Sequence, residues 1–200
     1  MAQVARKPAE YSDIVALPPH VVGQIIDGEL IVSPRPAGAH ASASSAMGAD
    51  INAPYHRRKG SPGGPGGWWI LFEPELHLGG HVLVPDLAGW RRERMPAKPA
   101  AAWFSLPPDW VCEVISPSSA GRDRIRKSRI YRQQGVEWMW IVDPDQRSVE
   151  VYQAAGEHWM LLSLDLGDER ATRLPPFTEV AIDLLRWWGE DDLPPEGESP

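Results

Sequence analysis

The segment from Asp109 to Val142 constrains this fold more than any other. Trp110-Val111-Cys112-Glu113-Val114-Ile115 is an apolar run of strand length, closed by Ser116-Pro117-Ser118. A run this apolar reads as a strand buried on both faces. Gly121 to Gln134 reads as a helix, with Gly135 at its C-terminal cap. Val136 to Val142 is a second apolar strand. Strand, helix and strand in that order form a βαβ unit, which joins parallel neighbours in one sheet.

The remaining signals add to that unit. Asp27-Gly28 between Gln24-Ile25-Ile26 and Glu29-Leu30-Ile31-Val32 is a two-residue hairpin signal. His40 to Tyr55, rich in Ala and Ser, predicts a helix. Trp68 to Leu78 and His81 to Trp90 predict a second hairpin turning at Gly79-Gly80, with Pro85 marking an edge, a bulge or a strand end. Ser148 to Tyr152 and His158 to Leu164 extend the sheet as a meander, and Phe177 to Trp188 predicts a short strand and a helix. The expected class is α/β in the mixed α+β sense: one mixed β-sheet flanked by helices, with an N-terminal hairpin and a C-terminal meander. No interior linker divides residues 1–188, which are expected to form one domain.

The chain carries 20 basic and 27 acidic residues, a net charge of −7. Five of those negative charges lie in the stretch 189–200, an acidic Pro/Gly-rich tail expected to be disordered. The charge therefore argues little for or against nucleic acid. The lone cysteine, Cys112, leaves no partner for an internal disulfide or a multi-cysteine zinc site. That count fits a reducing, cytoplasmic setting. No run approaches membrane-spanning length.

Glu113 is the chemical anomaly. A carboxylate inside a buried strand needs a cation, a proton or a metal. Asp86 lies in a second strand-like run, Val82 to Ala88. If the two strands are neighbours, their carboxylates converge, and the backbone carbonyl of Ile115 adds a third oxygen. Such a set suits Mg²⁺ or Mn²⁺. Lys127 on the following helix can reach the same place, with Tyr131 one turn further on the same face. Arg122, Arg126 and Arg129 form a basic stripe that suits a nucleic-acid backbone or, equally, a solvated helix face.

These residues carry a resemblance. Pro85-Asp86, Glu113-Val114-Ile115-Ser116-Pro117-Ser118, Asp123, Lys127, Tyr131, Gly135-Val136 and Trp140-Ile141-Val142-Asp143-Pro144 resemble the Uma-two family. Asp27-Gly28-Glu29-Leu30, Ser33-Pro34 and His40 extend the match to roughly 10–188. These bacterial proteins are described as candidate restriction endonucleases and are similar to the PD-(D/E)xK nucleases, whose core is a four-stranded mixed sheet flanked by helices. The resemblance implies a metal-dependent DNA endonuclease, with Asp86, Glu113 and Lys127 as catalytic residues and Asp86, Glu113 and Ile115 as metal ligands. Glu73, His40, Tyr131 and Glu29 are additional candidates. Superfamily habit and the Trp-rich strands point to a homodimer.

The sequence departs from the superfamily pattern at Ile115, where the lysine is expected; Lys127 is the displaced substitute. Gln24 stands where the family pattern has a glutamate. Two other readings stay open. One is a nuclease-fold protein without turnover that binds nucleic acid or regulates, with Glu113 and Lys127 as a structural ion pair. The other is a paired-carboxylate glycosidase.

Overall fold

A computed structural model describes residues 7–35, 38–115, 122–167 and 170–189, leaving out the side chains of Arg122, Asp123 and Leu166. Ser116-Pro117-Ser118 and the acidic tail 190–200 lie outside the described residues.

Helix α1 spans Tyr11–Val15, strand β1 Val21–Ile26, β2 Glu29–Pro34 and helix α2 Ala39–Tyr55. Asp27 and Gly28 both adopt positive φ, 52° and 75°, and Ile26 faces Glu29 across the turn. That is the backbone a two-residue hairpin of primed type demands. In α2 the buried positions Ala43, Met47, Ile51 and Tyr55 recur every four residues and make one core-facing stripe.

The second hairpin is bent. It comprises β3 (Trp68–Phe72), β4 (Glu75–Leu78), β5 (His81–Leu83) and β6 (Leu87–Arg91). Its pairing holds one register throughout, Leu78 facing His81, Leu76 facing Leu83 and Phe72 facing Leu87. In that register Pro74 faces Pro85. Neither proline can donate to the ladder, so both strands break at the same level. Glu73, at φ 41°, keeps one link by donating its N–H to the Asp86 carbonyl at 3.0 Å. The two halves of the hairpin therefore enter different sheets, and the single sheet expected from the sequence is two.

The remaining strands are β7 (Trp103–Phe104), β8 (Trp110–Val114), β9 (Trp138–Asp143), β10 (Ser148–Ala155) and β11 (His158–Leu166). The larger sheet runs β11-β10-β9-β8-β6-β3, and the smaller β2-β1-β5-β4-β7. Helix α3 (Arg122–Gln133) joins β8 to β9, which pair in parallel as the βαβ reading requires. Gly135, at φ 86°, follows the helix as its cap. No helix among the described residues is long and apolar enough to cross a membrane.

Two cores lie on opposite faces of the larger sheet. One gathers Trp110, Cys112 and Val114 of β8 with Met47 and Ile51 of α2 and Phe177. The other gathers Val111 with Ile130 and Tyr131 of α3 and Leu83 of β5. Strand alternation therefore puts Glu113 on the α3 side and Cys112 on the α2 side.

The C-terminal stretch differs from expectation. In place of a strand and an α-helix, Thr172 and Ile182 form an isolated bridge, and Leu184–Trp188 form a 3₁₀ turn. Leu184 and Trp187 are its buried residues, three apart, the spacing that eclipses on a 3₁₀ helix. The Asp183 carboxylate accepts the Leu185 N–H at 3.2 Å and caps the turn.

Phe177 is fully buried, with its ring centroid within 5.5 Å of those of Tyr55, Trp68, Trp110 and Trp140. Phe177→Ala is predicted to cost about 3–5 kcal/mol, because four rigid rings cannot collapse into the space. Equilibrium urea unfolding measures this; a loss under about 1 kcal/mol contradicts the packing.

Candidate functional site

The hairpin break and the central strand meet at one place. Asp86 follows Pro85 at the break, one residue before β6, and β6 pairs with β8 through Leu87 and Cys112. The Asp86 Oδ2 accepts the Val114 N–H at 2.7 Å. From α2, His40 Nε2 lies 2.9 Å from the Val114 carbonyl and 3.2 Å from Asp86 Oδ1. Both are acceptors, so Nε2 carries the proton and donates to them. His40 Nδ1 is buried with no partner among the described residues.

Glu113 is held from the opposite side. Lys127 Nζ lies 2.5 Å from Glu113 Oε2, and Tyr131 donates its hydroxyl to Oε1 at 2.6 Å. Lys127 also donates to the Val84 carbonyl at 3.3 Å. Gln24 in turn accepts the N–H of the same residue, Val84, at 2.9 Å. The crossover brings these groups together: α3 returns over the sheet, and Lys127 and Tyr131 are one turn apart on its inner face.

Burial first, and the neighbouring Glu113 second, push the Asp86 acid up to about 6. His40, the Val114 N–H and Lys127 act in the opposite direction. Burial and Glu113 drive the Tyr131 phenol well above its ordinary range, so it stays protonated and donates. Burial, with Asp86 and Glu113 behind it, also raises the Cys112 thiol, which has no thiolate character here.

The donor set fits a hard divalent cation. Two carboxylates and the Val114 carbonyl are oxygen donors of the kind such a cation takes, and one ammonium does not match two carboxylate charges. Among the described residues no group of three or more His, Cys, Asp or Glu gathers for a metal. A cation held here would take only these oxygens from the chain, and water and substrate would complete its shell, as suits Mg²⁺.

Other candidates lie elsewhere. Ile115 donates its N–H to the Val142 carbonyl at 2.7 Å, and its side chain packs on the α3-side core. The carbonyl the structure brings to the acids is that of Val114. The Glu73 carboxylate points away and pairs with Arg35 at 3.3 Å. Glu29 pairs with Arg126 at 2.9 Å. Arg126 and Arg129 also reach Asp27, so both tie α3 to the β1–β2 hairpin. The side chains of Arg122 and Asp123 lie outside the described residues. Sequence reasoning missed the Val114 and Val84 backbone groups, which no side-chain motif announces, and Gln24 as the residue that fixes Val84.

Because Asp86 has a raised acid in the fold, the native state binds more protons than the unfolded chain between about pH 4 and 6. The contribution of Asp86 to the stability of the metal-free protein should therefore be greatest below that window and fall by up to roughly 3 kcal/mol as pH rises through it. Asp86→Asn should flatten this fall. Urea unfolding in EDTA on either side of pH 6 tests it; parallel profiles for the two proteins sink the assignment.

Comparison with known proteins gives a family and a fold. A family model, Uma2, described as "Putative restriction endonuclease", matches residues 9–185. No curated protein matches the chain. A solved structure described as "a putative nuclease belonging to DUF820", from Anabaena variabilis, aligns at a TM-score of 0.71 with 22% identity. The alignment covers 91% of this chain and 98% of that one, a likeness of fold.

Proposed function

Because the chain belongs to the Uma2 family, we propose that it is a divalent-metal-dependent endonuclease hydrolysing phosphodiester bonds of DNA. The observation that carries this reading is the pairing of Asp86 with Glu113 across β6 and β8. Their charges are only partly offset by Lys127. Asp86, Glu113 and the Val114 carbonyl would hold Mg²⁺ or Mn²⁺. When bound, such an ion supplies an activated water and offsets charge on the phosphoryl oxygens.

The chain's own residues do the rest. Tyr131 fixes the orientation of Glu113 through Oε1. His40 fixes Asp86 and the Val114 carbonyl from α2. Lys127 has three donors, of which Glu113 and the Val84 carbonyl take two. The third can meet a phosphate oxygen, the role of the lysine missing at Ile115. Its origin on α3 rather than on β8 is compatible with that role, because the Glu113 contact sets its position.

A second reading has one observation in its favour. Both Glu113 oxygens are engaged, by Lys127 and Tyr131, as in a structural ion pair. A binding or regulatory protein without turnover follows if no metal displaces that arrangement.

The decisive experiment is cleavage of duplex DNA by purified protein with Mg²⁺ or Mn²⁺, beside calorimetric titration of the metal. Asp86→Asn and Glu113→Gln should each lower cleavage by roughly 10²-fold or more, the scale of losing one preorganised electrostatic contact. Both should also weaken metal binding. Lys127→Met should lower cleavage on the same scale while retaining metal binding. Cleavage undiminished in the two acid variants rejects the site. Absence of both metal binding and cleavage in the wild type favours the second reading.

A further inference from the structure

We infer that residues 57–59 and 91–98 form a phosphate-gripping surface for the DNA backbone, roughly six base pairs from the carboxylate pair. The inference rests on the DNA-nuclease reading above and gives it a binding surface.

Seven cations lie in these two short segments. The fold brings the segments together at the end of α2. The Gly66 N–H bonds to the Pro54 carbonyl at 3.0 Å, and the Arg92 N–H to the Gly67 carbonyl at 2.8 Å. Gly64, at φ 156°, permits this path, since a Cβ there would meet the Pro54 carbonyl oxygen at 2.4 Å.

Two tryptophans of β3, the strand at the edge of the larger sheet, hold the cations in place. The Arg91 guanidinium lies 4.7 Å from the Trp68 ring centroid, and Arg92 lies 3.4 Å and Lys98 5.0 Å from that of Trp69. Adjacent strand residues face opposite sides, so the cations flank both faces of the sheet edge. Trp69 donates its indole N–H to the Met95 carbonyl at 2.9 Å, pinning the 92–98 connection.

Carboxylates neutralise this surface only in part. Glu93, Asp109 and Glu137 pair with Lys59, Arg91 and Arg94. Among the described residues no acid forms an ion pair with Arg58, Arg92 or Lys98. Arg58 lies close enough to Arg92 to lower its basicity, after burial. A cluster of like charges held this close, in a chain of net charge −7, calls for an anion. Arginines with stacked, fixed planes suit phosphate oxygens. The arginines of α3 differ: Arg126 and Arg129 already face Asp27 and Glu29.

The distance suits a duplex. From His40, beside the acids, to Tyr55 along α2 is about 22 Å at the helical rise. From Asp86 to Arg92 along β6 is about 20 Å at the strand rise. Both routes agree on roughly six steps of DNA.

The test is fluorescence-anisotropy binding of a mixed-sequence DNA duplex of about 30 base pairs to the full chain in EDTA, over a series of salt concentrations. Arg58→Ala with Arg92→Ala should weaken binding and reduce the slope of log affinity against log salt by about 2, near 1 per lost phosphate contact. Arg58→Ala alone, which breaks no side-chain hydrogen bond among the described residues, should reduce it by about 1, and Arg58→Lys should retain it. An unchanged slope in these alanine variants overturns the surface. Wild-type hydrolysis of bis(p-nitrophenyl) phosphate with Mn²⁺ reads the carboxylate site separately. Hydrolysis with an unchanged slope rejects the surface and keeps the nuclease. No hydrolysis with a reduced slope keeps the surface and removes support from the nuclease.

Discussion

The contact between Glu113 and Lys127 ties the architecture to the chemistry. Glu113 is on β8, with α2 packed on one face of the sheet and α3 on the other. A carboxylate there is tolerable only with compensation. The compensation comes from the helix that the chain must use to reach the parallel neighbour β9. A βαβ crossover lays its helix on the sheet it has just left, so a lysine on the inner face of α3 meets the strand before it. Tyr131 follows one turn later and takes the other oxygen. The topology that makes the sheet thus also delivers the partners of its buried acid.

The second acid arises from a failure of regular structure. Pro74 and Pro85 face each other across the hairpin and stop the ladder at one level. The chain then turns from one sheet into the other, and Asp86 projects at the break, where the link from the Glu73 N–H to its own carbonyl is all that remains of the ladder. Its carboxylate accepts from Val114 of β8. The cost is visible in the acid itself, raised to about 6 by burial and Glu113. Two acids that repel each other while each is held by dedicated hydrogen bonds form a preorganised arrangement, complementary to added positive charge rather than to itself.

Local signals made much of this legible before any coordinates. The Asp27-Gly28 turn, the α2 pattern and the βαβ unit depend on neighbours in sequence, and each stands where expected. Asp86, Glu113, Lys127, Tyr131 and His40 were all named from sequence, and they meet. The misreadings have a common physical cause. Glu73 and Glu29 are acids of suitable type, yet their direction depends on which cation lies across from them, Arg35 and Arg126. Strand parity points to the Ile115 carbonyl, but the backbone groups that join the cluster are those of Val114. The second sheet was missed for a subtler reason. Each proline alone reads as an ordinary interruption. Their equal spacing from Gly79-Gly80 carries the signal, and only a paired register reveals it.

The same lesson bears on charge. The stripe of arginines on α3 is conspicuous in sequence because helical spacing groups it. Two of its members, Arg126 and Arg129, are occupied in the structure because Asp27 of the turn and Glu29 beyond it come back against them. The cations at 57–59 and 91–98 are separated by more than thirty residues and show no periodicity. They converge because α2 and β6 both run away from the acids over about 20 Å. The acid pair and the cation cluster are therefore opposite ends of the same two elements. A helix packed on β3 and β8, the two strands that flank β6, holds that separation fixed, which is the condition under which the proposed backbone contact at one end would position a phosphodiester at the other.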